Sequence, residues 1–135
     1  MVLVDTNVLL DLFTADETWG EWSAFQLRAQ SQVHRLAINP IIYAEISLAF
    51  DSISTLDDAL GTLQIEVLEI PRPALFLAAR AHVHYRRKGG VKGKILADFL
   101  VGAHAAVTDM TVITRDRDRY RSYFPGVSVV APPKH

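Results

Sequence analysis

Four carboxylates in this chain, Asp5, Glu45, Asp98 and Asp116, have the residue types and settings for metal chemistry. Asp5 closes the apolar run Val2-Leu3-Val4 and is followed by Thr6-Asn7. Asp116 follows Thr111-Val112-Ile113-Thr114 by one arginine, Asp98 opens a helical pattern, and Glu45 lies inside an otherwise apolar one. A fold that gathers all four makes a pocket of hard oxygen ligands, which suits Mg²⁺ or Mn²⁺. Two like charges ~4 Å apart repel by roughly 4 kcal/mol at an effective dielectric of 20, so such a cluster calls for a cation. A cation held this way can activate water for phosphodiester hydrolysis. Glu45 is the most diagnostic of the four. Its helix is apolar nearly all round, so the glutamate is expected to be largely buried, where an unpartnered charge is costly.

Each acid also has a plainer role open to it. Glu45 could pair with an arginine, Asp5 could cap a helix or bind a loop amide, and Asp98 could be a first-turn helix acid. Asp116 could be a cap, and Asp118 competes with it for a place in the site. Thr6, Asn7 and Thr114 could donate hydrogen bonds that orient the carboxylates or a metal-bound water, or could be only turn or cap residues. His82 and His84 sit two apart on a predicted helix, roughly 200° around it, so they cannot face one ligand. His34, His104 and His135 have no partner at ligand spacing.

The elements that must position these residues alternate. Short strands are expected at Val2 to Val4, Arg35 to Ile38, Glu66 to Ile70, Thr111 to Thr114 and Val127 to Val130. Helices are expected from Asn7 to Phe13 with Thr6 or Asn7 as cap, from about Glu17 to Gln32, and from Ile41 to Phe50 behind the Asn39-Pro40 start signal. Others run from a Ser54 cap to about Gln64, about Ala74 to Arg87, Ile95 to Thr108, and Asp116 to Ser122. Gly89-Gly90-Val91-Lys92-Gly93-Lys94 reads as a mobile loop. Alternation of this kind implies an α/β fold with a mostly parallel sheet covered on both faces. Ligands of such sheets bind beyond the carboxyl ends of the strands, at the switch point, where Asp5 and Asp116 would lie.

The 135 residues fit one domain, half of them are hydrophobic, and there is no cysteine. Disulfides, thiolate zinc sites and cysteine nucleophiles are thereby excluded. No signal peptide and no membrane-length apolar run is apparent, so a cytoplasmic protein away from the membrane is expected. The net charge of −1 hides an asymmetry: residues 1–70 carry 11 acids against Arg28 and Arg35, and residues 71–135 carry 12 Lys/Arg against four acids. Nine of the 14 basic residues fall in two segments, Arg86, Arg87, Lys88, Lys92 and Lys94, and Arg115, Arg117, Arg119 and Arg121. Beside an acidic metal site they suggest a polyanion footprint; the plain alternative is a solvated, salt-bridged face. Trp19, Trp22 and Phe25 could form an apolar ridge for a partner helix, or be core.

With these residues in view, the chain resembles a PIN-domain protein, and more narrowly the VapC toxins of bacterial toxin–antitoxin pairs. The resemblance covers essentially the full length, 1–135, as one domain. It rests on "VLVDTNVLLDLF", the glutamate of "NPIIYAEISLAF", "LADFLVGAHA" and "TVITRDRDRYRSYFPGVSVVAP". It implies a three-layer PIN-like fold, and Asp5, Glu45, Asp98 and Asp116 as the acids binding one or two Mg²⁺ or Mn²⁺ ions. It implies an endoribonuclease that cuts structured RNA (of the tRNA or rRNA class) and stops translation. It further implies a cognate VapB-type antitoxin and a homodimer. Arg86, Arg87, Lys88, Lys92, Lys94, Arg115 and Arg117 would hold the RNA backbone. Two other classes remain open: a receiver-type phosphotransfer domain with Asp5 as phosphoacceptor, and a non-catalytic RNA-binding PIN scaffold.

Overall fold

The first apolar run sets the centre of the molecule. In the computed structural model, which describes residues 1–89 and 95–133, Val2–Val4 forms strand β1 with all three side chains buried. β1 pairs in parallel with β2 (Leu36–Ile38) on one side and β4 (Thr111–Ile113) on the other. β3 (Ile65–Val67) and β5 (Val129–Val130) complete an all-parallel sheet in the order β3-β2-β1-β4-β5. The chain winds outward from β1 to β3 and then returns to the other side of β1, so the switch point falls between β1 and β4.

Helices cover both faces, as a parallel sheet requires. They are α1 (Thr6–Phe13), α2 (Gly20–Ser31), α3 (Pro40–Ile46), α4 (Ile53–Thr62), α5 (Arg72–Arg87), α6 (Ile95–Thr108) and the short α7 (Asp118–Arg121). The main core joins the strands to Val8, Leu9, Leu27, Ile42, Ile46, Leu56, Leu60, Val101 and Tyr120. A second core, Ala74, Ala78, Phe99, Ala103 and Phe124, locks α5 to α6. Gly102 is required there, since a Cβ on it would lie 2.4 Å from the Phe124 ring.

Several boundaries differ from the sequence reading for local reasons. Asp5, not Thr6 or Asn7, caps α1, its carboxylate accepting the Thr6 amide. α2 starts at Gly20 because Asp16 takes the Thr18 and Trp19 amides into a turn. Asn39 does cap α3, accepting from the Ile41 and Ile42 amides ahead of Pro40, but the α-helix stops at Ile46 and tightens into a 3₁₀ turn over Ser47–Ala49. Ser52 rather than Ser54 caps α4, accepting from the Thr55 amide. The loop expectation for 90–94 lies outside the described residues.

Candidate active site

Both strands at the switch point end in polar residues that the fold buries. After β1 comes Asp5, 2% exposed, and after β4 comes Thr114, fully buried. The Asp5 amide donates to the Ile113 carbonyl at 2.9 Å, which pins the two strand ends together. Asp5 Oδ1 accepts from the Thr6 amide at 2.8 Å. Its Oδ2 accepts from Thr114 Oγ1 at 2.8 Å, Tyr120 OH at 2.7 Å and Arg119 Nη1 at 3.2 Å. The orientation of this carboxylate is therefore fixed from four directions.

Of Thr6, Asn7 and Thr114, the two threonines hydrogen-bond to acids, and Asn7 reaches them only through Thr114. Thr114 Oγ1 donates to Asp5 and accepts from Asn7 Nδ2 at 3.3 Å and from the Asp116 amide at 3.1 Å. Asn7 Oδ1 accepts from the Arg115 amide at 3.1 Å, tying α1 to the loop after β4. Thr6 Oγ1 donates to Glu45 Oε1 at 2.6 Å, which brings α3 to the same edge of the sheet.

Arg119 is the residue the sequence reading did not single out. Its guanidinium stands among three carboxylates: 3.2 Å from Asp5 Oδ2, 3.7 Å from Asp98 Oδ1 and 3.7 Å from Asp116 Oδ2. Burial opposes its charge, but Asp5 and Asp98 foremost outweigh burial and raise its pKa further, so it stays a cation. Tyr120, also unremarked, is buried beneath Asp5, and burial followed by the Asp5 charge and hydrogen bond pushes its phenol well above the ordinary range. It is a fixed donor. A usable signal was present: Asp116, Arg119 and Tyr120 are spaced i, i+3, i+4, which places them on one side of a helical turn.

The acids differ in exposure. Asp98 and Asp116 are partly open, with side chains 38% and 50% accessible. Burial raises the pKa of Asp98; Arg119 lowers it, and Asp5, Glu45 and Asp116 each raise it, so Asp98 feels the other three acids. Glu45 is exposed, not buried as expected. α3 is short, and only Ile42 and Ile46 turn into the core; Glu45 reaches over the strand ends toward solvent. Asp116 Oδ2 lies 3.7 Å from Arg119, and Asp118 Oδ1 lies 3.9 Å from Arg121.

A hard cation fits this donor set in type, since the four acids offer only carboxylate oxygens and Arg119 already places a positive charge among three of them. Among the described residues no three of His, Cys, Asp and Glu stand at ligand spacing. A receiver-type role fits poorly, because both oxygens of Asp5 are engaged and the residue is buried.

The basic residues separate into groups. Arg115 is committed to structure: Nε lies 2.7 Å from buried Asp11 Oδ2, an ion contact not aligned as a hydrogen bond, and its guanidinium sits 5.6 Å from the Trp19 ring centre. Arg86, Arg87 and Lys88 are exposed at the end of α5, and Arg117 is half-buried at the start of α7. Lys92 and Lys94 lie outside the described residues. The aromatic ridge on α2 is divided: Trp22 packs against the core, Trp19 meets Trp22 and Arg115, and Phe25 is 61% exposed. His104 is buried, where burial lowers its pKa, and its Nδ1 lies 3.3 Å from Asn39 Nδ2.

The PIN-domain family model matches residues 2–125, and the chain belongs to that family. No curated protein matches the sequence significantly. Among solved structures, the chain is similar to VapBC2 from Rickettsia felis bound to a DNA fragment from their promoter, with TM-score 0.74, 16% identity, and 98% of this chain and 100% of that chain covered. It is similar to the DNA-bound VapBC from Salmonella typhimurium, with TM-score 0.71, 21% identity and 96% of each chain covered. A toxin–antitoxin complex from Klebsiella pneumoniae gives TM-score 0.68 at 23% identity, with all of both chains covered. No helix among the described residues is long and apolar enough to cross a membrane.

Proposed function

We propose that this PIN-domain chain is a Mg²⁺- or Mn²⁺-dependent endoribonuclease of the VapC type, the toxin of a toxin–antitoxin pair. The observation that carries the reading is the set of three carboxylates around one guanidinium at the switch point of the sheet. Asp5, Glu45, Asp98 and Asp116 would hold one or two ions. When bound, such an ion supplies an activated water and neutralises charge at the phosphate. Asp5 serves as the immobile member, its carboxylate held by Thr114, Tyr120 and the Thr6 amide. Glu45 is aimed by Thr6. Asp98 and Asp116 line the open side, where substrate would enter.

Arg119, once released from the acids, has the forked donors that suit a phosphate oxygen pair. Arg86, Arg87, Lys88 and Arg117, with Lys92 and Lys94, supply sequence-independent grip on the RNA backbone. A structured RNA of the tRNA or rRNA class is the substrate this reading carries, with arrest of translation in the cytoplasm as the consequence. A VapB-type antitoxin is the partner, supported by the toxin–antitoxin complexes among the similar structures, and a second copy of this chain would complete a homodimer.

The test is an incubation of purified protein with total RNA in Mg²⁺ or Mn²⁺, with and without excess chelator. Discrete fragments that vanish with chelator are expected. Cleavage that persists in chelator contradicts the metal role, and no cleavage under any condition contradicts the nuclease.

A further inference from the structure

The four acids do not account for everything at this edge of the molecule. Beside them lies a cavity of about 300 Å³ lined by Tyr85, Asp98, Phe99, Asp116, Asp118, Arg119, Ser122 and Tyr123. That volume is at the small end for ligand pockets. One end of the cavity is the open side of the acid cluster, Asp98 and Asp116. The other is aromatic.

The aromatic end is a packed set of rings. Phe99 is 4% exposed and holds Tyr123 and Tyr85 edge-to-face, at ring-centre distances of 5.1 and 5.8 Å. Tyr85 and Tyr123 are themselves 5.9 Å apart, and His84 meets Tyr123 at 6.0 Å. Both tyrosines are half-buried, so each is fixed by its neighbours yet keeps surface on the cavity. Rings held rigid at the wall of a polar cavity are the kind of surface on which single-stranded nucleobases stack.

The charges in the wall narrow the occupant further. Asp98, Asp116 and Asp118 would repel a phosphate brought in without a cation, but they do not oppose a neutral base. The exposed Arg86, Arg87 and Lys88 follow Tyr85 directly and suit the backbone that would carry such a base. A base at the aromatic end leaves its own phosphate near the acids, which is the order a cleavage site requires.

We propose that Tyr85 and Tyr123, held from behind by Phe99, form a nucleobase subsite that seats an unpaired base next to the scissile phosphate, with Ser122 and Asp118 at its polar edge. This rests on the ribonuclease reading and adds to it a specificity-determining pocket. An amphipathic partner's side chain is the competing occupant, and the test separates the two.

The experiment uses the whole chain and an RNA hairpin that the wild type cuts in its loop. Versions of the hairpin carry an abasic nucleotide at each loop position in turn, and Tyr123→Leu, Tyr123→Phe and Tyr85→Leu are compared with wild type. One abasic position adjoining the cut should raise KM for wild type by about tenfold, in the range of one lost base–aromatic stack. Tyr123→Leu should raise KM similarly on intact RNA, add nothing on that abasic RNA, and be rescued by Tyr123→Phe. The abasic series on wild type stands even if Tyr123→Leu fails to fold. Wild type that cuts all abasic hairpins equally, or tyrosine variants whose losses add to the abasic loss, would overturn the subsite while leaving the nuclease in place. Tyrosine variants that cut normally but lose antitoxin affinity would overturn it in favour of a protein occupant. A wild type that cuts no RNA overturns the subsite together with the nuclease.

Discussion

Asp5 and Asp11 stand on the same short helix, one as its cap and one within it, and each is buried and met by an arginine from the segment after β4. The surroundings make them different devices. Asp11 has Arg115 at 2.7 Å and Ser23 Oγ donating at 2.8 Å, and Arg115 spends its remaining surface on Trp19. One acid meets one base there, and the pair ties α1 to α2 and to the β4–α7 loop. Asp5 shares Arg119 with Asp98 and Asp116, at distances of 3.7 Å to each of those two. Three negative charges around one positive charge leave a deficit that a divalent cation would fill. The same residue types thus give a one-to-one ion pair in one place and a cluster with excess negative charge a few residues away.

The largest expected effect lies in the contrast between the two aspartates themselves. Asp5→Asn should cost more than about a hundredfold in RNA cleavage rate, since even residues that only support metal ligands cost 10–100-fold. Asp11→Ala should keep cleavage per folded molecule while losing about 3 kcal/mol of stability in urea, the low end for breaking a buried pair because Arg115 is partly exposed and can re-solvate. Activity assays and urea melts on both proteins check the pair. Equal losses of activity would erase the distinction.

Next in size is Arg119→Gln. Removing the internal cation should lower the stability of chelator-treated protein and tighten Mn²⁺ binding several-fold, because the incoming ion no longer competes with a guanidinium. A urea melt of the chelator-treated protein reads the first, and calorimetric titration with Mn²⁺ reads the second. Weaker Mn²⁺ binding would mean that Arg119 organises the acids and does not compete for them.

The smallest effect concerns Asp98. Burial and its acidic neighbours raise its pKa in the folded state above the ordinary 3.8. A carboxyl with a raised folded pKa opposes folding wherever it is ionised, and that opposition fades as pH falls through the raised pKa toward the unfolded value. Chelator-treated Asp98→Asn should therefore be more stable than wild type at neutral pH, by under about 1 kcal/mol for a partly exposed carboxylate. The gap should close as pH approaches 4. A gap that widens on acidification would reverse the assignment of the repulsion.

The two aspartates also mark what the sequence made legible. An apolar run that ends in Asp5-Thr6-Asn7 announces a buried strand with a polar exit, so the strands and the position of Asp5 at the sheet's edge could be read directly. The Asn39-Pro40 signal placed the start of α3 to the residue, because capping chemistry is local. Partner choice was only partly legible. In Arg115-Asp116-Arg117-Asp118-Arg119, alternating charges give no sign of which arginine staples Asp11, and only the i, i+3 spacing of Asp116 and Arg119 hints at which one enters the acid cluster. That is decided by a 3₁₀-like turn before α7, with the Arg119 amide donating to the Asp116 carbonyl at 3.3 Å. The burial of Glu45 was misjudged for a related reason. Apolar composition around a residue does not bury it when the helix is seven residues long and ends at the rim of the sheet.

If the acids around Arg119 are a divalent-cation site, anomalous diffraction at the manganese edge, from crystals grown in Mn²⁺, locates the ion there. The expected result is a peak between Asp5, Asp98 and Asp116, with the Arg119 guanidinium moved away from it. Density for Arg119 unchanged among the three carboxylates, with manganese absent or bound elsewhere, would contradict it.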